Sequence, residues 1–154
     1  MKYQGKVEFK CEPLAVWNTV LDMEQFVACF PGVDNVVMVD DHTFEGGMKA
    51  QVGPVSGDFS FRAQIVDAEA PVRLRAEVAG EDSLTKSVMT ADIEMALSAL
   101  EDGATQLAYQ SEVRIKGRLG IVGDMIIRAT GAQVIEEFFR RLRERVEPAA
   151  PGEA

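Results

Sequence analysis

Polar and apolar residues alternate along most of this chain, and the alternation predicts strands. Near the start, Val7 and Phe9 fall on one face while Lys6 and Glu8 fall on the other, a period of two typical of a half-buried strand. Six more alternating runs follow between residues 33 and 117. The turns between them are short, so neighbouring strands are expected to be antiparallel.

Three helices complete the pattern. Pro13 suits the first turn of a helix. Along this helix apolar residues recur at helical spacing and are predicted to face inward: Leu14, Trp17, Val20 and Leu21. Asp22 can cap a second short helix, which must end before Pro31 because the residue ahead of a proline avoids helical conformation. A long amphipathic helix is predicted over 119–146, with this inward stripe: Ile121, Met125, Ala129, Ala132, Ile135, Phe139, Leu142 and Val146.

The predicted order is therefore β-α-α-β-β-β-β-β-β-α, an α+β fold. A twisted antiparallel sheet of this size curves, and its concave side can hold the long C-terminal helix. A chain of 154 residues with 47% hydrophobic residues is long enough to build one core. We expect one domain over residues 1–147 and a disordered tail over 148–154.

The strand register separates an apolar inner face from a charged outer face. The residues predicted to face inward are Phe59, Phe61, Ala63, Ile65, Val72, Leu74, Ala76, Val78, Met89, Ala91, Ile93, Met95, Leu97, Leu107, Tyr109, Val113 and Ile115. Charged alternates such as Arg62, Asp92 and Arg114 are expected to face solvent. An inner face of this composition can be a packed core or can line a cavity for an apolar ligand, and the pattern leaves both interpretations open.

Side chains able to do chemistry are scarce on the inner face. Tyr109, with Ser111 beside it, supplies the polar groups of this face. Acid–base catalysis needs titratable groups within hydrogen-bond reach of a substrate. Cys11 and Cys29 lack the spacing of a redox or metal motif, and His42 is the only histidine. We therefore predict no catalytic residue, no metal and no cofactor, and we interpret Cys29 as a small apolar side chain.

The charge balance narrows the range of partners. Sixteen Lys and Arg against 25 Asp and Glu give a net charge of −9, which argues against a nucleic-acid partner. The basic stretch RRLRERV is interleaved with Glu and is typical of a solvated helical face. Because the sequence shows neither a membrane-spanning apolar run nor a signal-peptide core, we expect a cytoplasmic protein with at most peripheral contact at the inner membrane face.

Two motifs, FVACFPGVDNV and KAQVGPVSGDFSFRAQIVDAEAPVRLRAEVAG, carry a family resemblance. The residues that match are Phe26, Cys29, Phe30, Pro31, Gly32 and Val33 in the first motif, and Lys49, Gly53, Pro54, Gly57, Phe59, Asp67, Pro71 and Gly80 in the second. With these residues and its element order, the chain resembles, over about residues 2–146, the carbon monoxide dehydrogenase G-subunit family. That family is part of the START-like, or polyketide cyclase-like (SRPBCC), superfamily. The resemblance implies a helix-grip fold, with a tight turn from Gly53 to Gly57 at the cavity mouth.

The resemblance also implies an accessory role and not a catalytic one. Family members are associated with molybdenum hydroxylases of the carbon monoxide dehydrogenase type, so such an enzyme is the expected partner and would carry any redox cofactor. The expected function is binding of an apolar small molecule, a quinone or a lipid-like compound, in support of the enzyme's maturation, membrane recruitment or quinone coupling. Two alternatives stay open: a polyketide cyclase or aromatase-like enzyme with Tyr109 as its acid, and a protein-docking module with a packed interior.

The expected ligand-binding residues are those that the strands and the long helix would place around one cavity. They are Phe30, Phe59, Phe61, Leu74, Met89, Ile93, Met95, Leu107, Tyr109, Met125, Ala129 and Ala132. The small side chains of Ala129 and Ala132 are expected to leave room between the middle of the helix and the sheet.

Overall fold

The computed structural model describes residues 1–147 and contains all seven predicted strands. The strands are β1 (Lys2–Phe9), β2 (Val33–Asp40), β3 (Thr43–Val52), β4 (Val55–Glu69), β5 (Arg73–Asp82), β6 (Val88–Ala99) and β7 (Thr105–Lys116). The helices are α1 (Pro13–Leu21), α2 (Met23–Cys29) and α3 (Asp124–Val146), with a 3₁₀ turn at Arg118–Val122. The tail predicted to be disordered, 148–154, lies outside the described residues.

The seven strands form one antiparallel sheet in the order β1-β7-β6-β5-β4-β3-β2, which leaves β1 and β2 at its edges. A β-bulge between Ile65 and Asp67 in β4 adds to the bending of the sheet. The three helices lie on the concave side, where α3 packs against α1, α2, β1 and β3. The predicted α+β helix-grip architecture is confirmed.

Particular residues set the starts of the two short helices and the turn that follows them. Pro13 opens α1, and the Asp22 carboxylate accepts a hydrogen bond from the Glu24 N–H at 3.0 Å, which caps α2. After α2 the chain turns at Gly32, whose φ is 79°. A Cβ at Gly32 would collide with the carbonyl oxygen of Lys49, so glycine is needed where the chain enters β2.

The main core lies between α1, the second half of α3 and the sheet. Its fully buried members include Phe9, Val16, Cys29, Leu107 and Leu142. The prediction for α1 is wrong at Leu14 and Leu21, which are 53% and 40% exposed. They lie roughly 100° around the helix from the face that Val16 and Trp17 turn toward the sheet.

The two cysteines are packed side chains. Cys29 is fully buried at the end of α2, and Cys11 is partly buried. Burial raises the pKa of the Cys29 thiol, although Arg145 and Arg141 oppose the shift. Burial, with a contribution from Glu147, also raises the pKa of Cys11. Both thiols are therefore protonated at neutral pH, which agrees with the interpretation of Cys29 as a small apolar side chain.

The first half of the inward stripe predicted for α3 is wrong. Gly123, with a φ of 98°, separates the 3₁₀ turn from α3. Ile121 and Met125 are 83% and 85% exposed, and Ala129 and Ala132 are exposed as well, whereas Ile127 is buried. Ile127 and Ala129 are two residues apart, so they point in directions about 200° apart around the helix.

Two features of the sequence explain this error. Met125, Ile126 and Ile127 are consecutive apolar residues, so hydrophobicity alone does not set the phase of the helix. Gly131 continues the true inward stripe, but it has no side chain to signal it. From the middle of α3 onward the prediction is right, because these residues pack into the main core: Ile135, Phe139, Leu142 and Val146.

Two predicted strand boundaries are displaced. The turn between β3 and β4 consists of Gly53 and Pro54 alone, and Gly57 is buried inside β4. A Cβ on Gly57 would lie 2.7 Å from the Phe59 ring, so this glycine serves packing and is not part of the turn. Val72, predicted to face inward, precedes β5 and is 44% exposed.

A buried polar cluster ties together the end of the sheet beside the 3₁₀ turn. The fully buried Asp82 accepts hydrogen bonds from the Asp58 N–H (2.9 Å) and from the N–H and hydroxyl of Thr85 (2.9 and 2.6 Å). The Ser87 hydroxyl donates to the Thr85 oxygen and accepts from the Leu119 N–H, both at 2.8 Å. The cluster thereby joins β4, the β5–β6 loop and the 3₁₀ turn.

We expect Asp82→Asn to lower the free energy of unfolding at pH 7 by about 2 kcal/mol, because an amide cannot accept all three hydrogen bonds. Burial alone raises the pKa of Asp82, but the hydrogen bonds from Thr85 and the Asp58 main chain outweigh it and hold the pKa below its ordinary value. The ionised carboxylate thus stabilises the fold fully above about pH 4, and this contribution is lost as the pH falls through the lower native pKa.

Urea unfolding at pH 7 and at about pH 2.5 measures the difference, which should shrink at low pH. Asp58→Asn, which changes an exposed carboxylate on the neighbouring strand, is the control and should have little effect at either pH. A deficit of Asp82→Asn that stays the same at both pH values would contradict the role of the carboxylate.

Candidate functional site

A groove of about 1120 Å³ runs between α3 and the edge strand β1 and is open to solvent. Its aromatic and large apolar side chains are Tyr3, Val7, Tyr109, Ile135 and Phe139, all buried or partly buried. Its rim is polar and charged, with Lys2, Gln4, Lys6 and Glu8 on β1 and Arg128, Gln133, Glu136, Glu137, Arg140 and Arg143 on α3. The floor residues belong to the inner faces of the sheet and of α3.

Both tyrosines of the chain lie against glycines in this groove. The Tyr109 ring lies over Gly5, its direct partner in the β1–β7 register. A Cβ on Gly5 would lie 2.8 Å from the tyrosine oxygen. A Cβ on Gly131 of α3 would likewise collide with the Tyr3 hydroxyl, which donates to the Arg128 carbonyl oxygen at 3.2 Å. The two glycines therefore make the space that the two aromatic rings occupy.

The two tyrosine hydroxyls differ in their availability. Burial raises the pKa of Tyr3, with Arg128 opposing the shift, and its hydroxyl is already engaged on α3. Within residues 1–147 the Tyr109 hydroxyl makes no hydrogen bond, and its oxygen is not sealed from solvent. The Tyr109 ring is held by Phe139, with 5.0 Å between ring centroids. Tyr109 thus presents a fixed hydroxyl that can donate to a molecule in the groove.

Arginines of α3 bridge the helix to β1 at the two ends of the groove. Arg128 donates to the carbonyl oxygen of Lys2 at 3.2 Å, and Arg143 donates to that of Glu8 at 3.0 Å. These carbonyls face away from β7, since β1 is an edge strand. Between the two bridges lies the groove, which is lined by Tyr3 of β1 and Ala132 of α3.

The Glu137 carboxylate on the rim is held ionised by two arginines. Hydrogen bonds from Arg140 and Arg141 hold the pKa of Glu137 at about 2. Arg141 also donates to the carbonyl oxygen of Ala28 at 3.3 Å, which links α3 to α2. The groove therefore combines an aromatic floor with a rim of charged side chains.

Behind the groove, the concave face is covered unevenly. Under α1 the packing is dense: a void of only about 10 Å³ remains there, lined by Val16, Trp17, Val20, Leu74, Met95, Leu97 and Leu107. That volume is at most enough for one water molecule. Farther along β5, β6 and β7 the apolar inner residues are only partly buried, namely Ala76, Val78, Ile93 and Val113. The difference arises because the backbone of α3 comes closer to β1 and β3 than to these central strands.

The twelve residues predicted to bind a ligand do not gather around one cavity. Tyr109 and Ala132 line the groove. Three others surround the small void, namely Leu74, Met95 and Leu107. Ile93 lies on the partly covered concave face.

The remaining six predicted residues do not line the groove. Phe59 and Met89 belong to a second small core beneath the 3₁₀ turn. Phe30 and Phe61 are part of a network of aromatic rings. Met125 and Ala129 are exposed on the outer side of α3, so the expectation that they face the sheet is wrong.

The sequence reasoning named Phe26, Phe30 and Phe61 but missed Phe44 and Phe138, the rings that connect them. Phe26 contacts Phe30, Phe44 and Phe138, with ring centroids 4.9 to 5.8 Å apart. These residues come from α2, β3 and α3, and no periodicity along the chain connects them. Tyr3 was also missed, although it shares the alternation phase of Val7 and could have been found from it.

Metal-binding clusters and membrane-spanning helices are both absent from the described part of the chain. No three His, Cys, Asp or Glu side chains of residues 1–147 come together as a metal site would require. Among the same residues, no helix is long and apolar enough to cross a membrane.

Comparison with known proteins places the sequence among relatives. Residues 5–147 match the family described as the G subunit of carbon monoxide dehydrogenase (CoxG). No curated protein matches the sequence.

Solved structures share the fold at low sequence identity. A conserved protein from Geobacillus kaustophilus superposes with a TM-score of 0.87 at 18% identity, over 95% of each chain. A START superfamily protein from Mycobacterium smegmatis gives a TM-score of 0.73 at 12% identity, over 94% of this chain and 96% of its own. A protein from Chromobacterium violaceum gives 0.71 at 16% identity, over 96% and 99%.

We expect Gly131→Ala to bring no gain in stability, although alanine ordinarily stabilises a helix interior by about 1 kcal/mol over glycine. The reason is that the new Cβ would collide with Tyr3. In a Tyr3→Ala background the same change should stabilise the protein by about 1 kcal/mol. Urea unfolding of the wild type, the two single variants and the double variant measures the coupling between Tyr3 and Gly131. Gly120→Ala, where an added Cβ meets no atom within 4 Å, is the control; equal effects of Gly131→Ala in both backgrounds would rule out the contact.

Proposed function

The chain belongs to the carbon monoxide dehydrogenase G-subunit family, and from this premise we propose that it is a non-catalytic accessory protein that binds an apolar small molecule. The ligand class we propose is a quinone or a lipid-like compound, held between α3 and the sheet. The partner we propose is a molybdenum-containing dehydrogenase of the carbon monoxide dehydrogenase type, which the protein would assist in maturation, membrane recruitment or electron transfer to quinone.

The observation that carries the proposal is the groove between β1 and α3. Its volume of about 1120 Å³ is enough for a small organic ligand, since ligand pockets commonly measure roughly 300–1,000 Å³. Its floor is aromatic and aliphatic, and burying apolar surface there is favourable by about 25 cal/mol per Å². A flat ring entering along Tyr109 and Phe139 could reach the partly covered face around Ile93.

The polar features of the groove favour a ligand with a carbonyl group. The Tyr109 hydroxyl is a hydrogen-bond donor without a partner within residues 1–147, and the two carbonyl oxygens of a quinone are acceptors. The charged rim gives a ligand no apolar contact, so an apolar tail is expected to follow the floor inward. We propose Tyr109, Ala132 and Ile93 as ligand contacts among the residues identified from sequence.

The groove supports a binding role better than an enzymatic one. Acid–base chemistry needs a second titratable group near Tyr109, and the floor around it is formed by Val7, Ile135 and Phe139. A second candidate function is docking of a protein through the acidic surface, with a packed interior. The void of about 10 Å³ under α1 favours that candidate, whereas the groove favours ligand binding.

We expect short-chain benzoquinones and naphthoquinones to raise the melting temperature of the protein and to be recovered unchanged. Tyr109→Phe removes only the hydroxyl, so quinone affinity should fall up to about tenfold, the worth of one hydrogen bond. Binding of a fatty acid, whose chain needs no donor from Tyr109, should be unaffected. Thermal shift and calorimetric titration measure both ligands on both proteins.

Two outcomes would count against this proposal. If no quinone or fatty acid changes the melting temperature, the docking module with a packed interior is the better function. If a polyketide-like aromatic compound is converted to a product and Tyr109→Phe stops the conversion, the protein is an enzyme.

Two alanines of α3 provide a matched test of the groove. Ala132 and Ala129 are both exposed, but only Ala132 lines the groove. Ala132→Leu should weaken quinone binding at least about tenfold by filling the entrance, while Ala129→Leu should bind as the wild type does. Because neither position is in a packed core, both variants should unfold within about 0.5 kcal/mol of the wild type. Equal affinity of the two variants would show that the ligand does not enter here.

A further inference from the structure

The two edges of the sheet differ in regularity. At β2 the pairing with β3 is interrupted by register shifts on both sides of Val37 and Met38, and Asn35 has a φ of 52°. Irregularities of this kind discourage the addition of another strand. At the opposite edge, β1 pairs with β7 without a shift from Lys2 to Phe9. The β1 edge is therefore the one suited to accept a further strand.

The outward backbone groups of β1 belong to its even-numbered residues. The carbonyl oxygens of Lys2 and Glu8 accept hydrogen bonds from arginines of α3 and so face away from β7. In an unbroken antiparallel ladder alternate residues face the same side, so the N–H and C=O groups of Gln4 and Lys6 also face away from β7. Within residues 1–147 these groups make no hydrogen bond. An unpaired row thus remains in the middle of the edge.

The charges on β1 select one register for pairing this strand with a copy of itself. An antiparallel pair can place Lys2 opposite Glu8, and Gln4 opposite Lys6, with Gly5 on the two-fold axis. The next possible register in one direction places Lys2 opposite Lys6, and the next in the other direction places Lys6 opposite Lys6. Like charges directly opposite each other are destabilising, whereas opposite charges stabilise the pair.

The same register also matches the other face of the two strands. There Tyr3 of one copy lies opposite Val7 of the other, and an aromatic residue beside a β-branched one is a favourable cross-strand pair. Because β1 complements itself on both faces, its sequence favours a second copy of this chain over an unrelated strand.

The other charges along this edge are of both signs. On β7, Glu112 lies opposite Lys2 and is paired with Arg114 at 3.1 Å. The charged residues of α3 that line the groove beside β1 are Arg128, Glu136, Glu137, Arg140 and Arg143. Neither sign dominates, so the specific pairs between Lys2 and Glu8 decide the electrostatics of the contact.

We propose that β1 pairs with β1 of a second copy of this chain and joins two seven-stranded sheets across a two-fold axis. Gln4 and Lys6 exchange backbone hydrogen bonds with Lys6 and Gln4 of the second copy, and Lys2 and Glu8 form an ion pair at each end. These four residues also line the β1 side of the groove, so the second strand lies along its rim. The contact is small, so the dimer is expected to dissociate on dilution.

This inference does not rest on the ligand proposed above, because it is tested on the full chain with no quinone added. Sedimentation velocity at about 0.15 M salt, where repulsion between two acidic chains is screened beyond about 8 Å, should show monomer at low concentration and dimer at high concentration. Lys2→Glu puts like charges opposite each other at both ends of the contact and should weaken the dimer at least about tenfold. Glu8→Lys should do the same.

Mixing the two variants gives the decisive measurement. An equimolar mixture of Lys2→Glu and Glu8→Lys restores opposite charges at both ends, so it should dimerise about as strongly as the wild type. A loss of stability within one chain could not be rescued in this way. Lys49→Glu is the matched control, since the exposed Lys49 lies opposite Asp58 within the sheet as Lys2 lies opposite Glu112. It should dimerise as the wild type does.

Three outcomes would overturn the proposal. They are a wild type that stays monomeric at every concentration, a mixture of the two variants that stays monomeric, and a Lys49→Glu variant that loses as much dimer as Lys2→Glu. Circular dichroism checks that all variants are folded. A monomer that still binds quinone would overturn this inference alone and leave the proposed function standing.

Discussion

The packing of two adjacent phenylalanines of α3 onto the rings of the other layers is the contact on which the architecture depends. Phe139 contacts Phe9 of β1 and Tyr109 of β7, and Phe138 stacks on Phe30 at the end of α2 with centroids 4.5 Å apart. Aromatic pairs of this kind contribute beyond the area they bury. They hold the second half of α3 against the sheet and the short helices, so the position of the helix is determined at this end.

The first half of α3 is positioned by different means. Ile127 and Leu119 pack with Phe59 in the second small core, and the Asp82 cluster connects the 3₁₀ turn to the sheet through Ser87. The helix is thus attached at both ends, while its middle faces a sheet that it does not fully cover. The groove beside β1 and the partly accessible concave face are consequences of that geometry.

The shape of the groove depends on two glycines and on the two tyrosine rings packed against them. Gly5 and Gly131 leave space that Tyr109 and Tyr3 fill, so the aromatic surface of the groove depends on positions that have no side chain. Tyr3 is engaged with the backbone of α3, and Tyr109 keeps its hydroxyl for a ligand. This division gives the groove one available donor above an apolar floor, an arrangement suited to orienting a ligand and poorly suited to acid–base chemistry.

The sequence by itself determined the strands, the antiparallel pairing of consecutive strands from β2 to β7, the cap at Asp22 and the turn at Gly32, because alternation, short turns, capping and backbone freedom are local properties. It also indicated Tyr109 as the polar side chain of the inner face that could contact a ligand. Only the tertiary structure decided the phase of the first half of α3, since three consecutive apolar residues allow several phases and Gly131 carries no signal. Likewise, the partners of Phe26 and the groove beside Ala132 depend on the distance between helix and sheet, which is set by contacts between residues far apart in the chain.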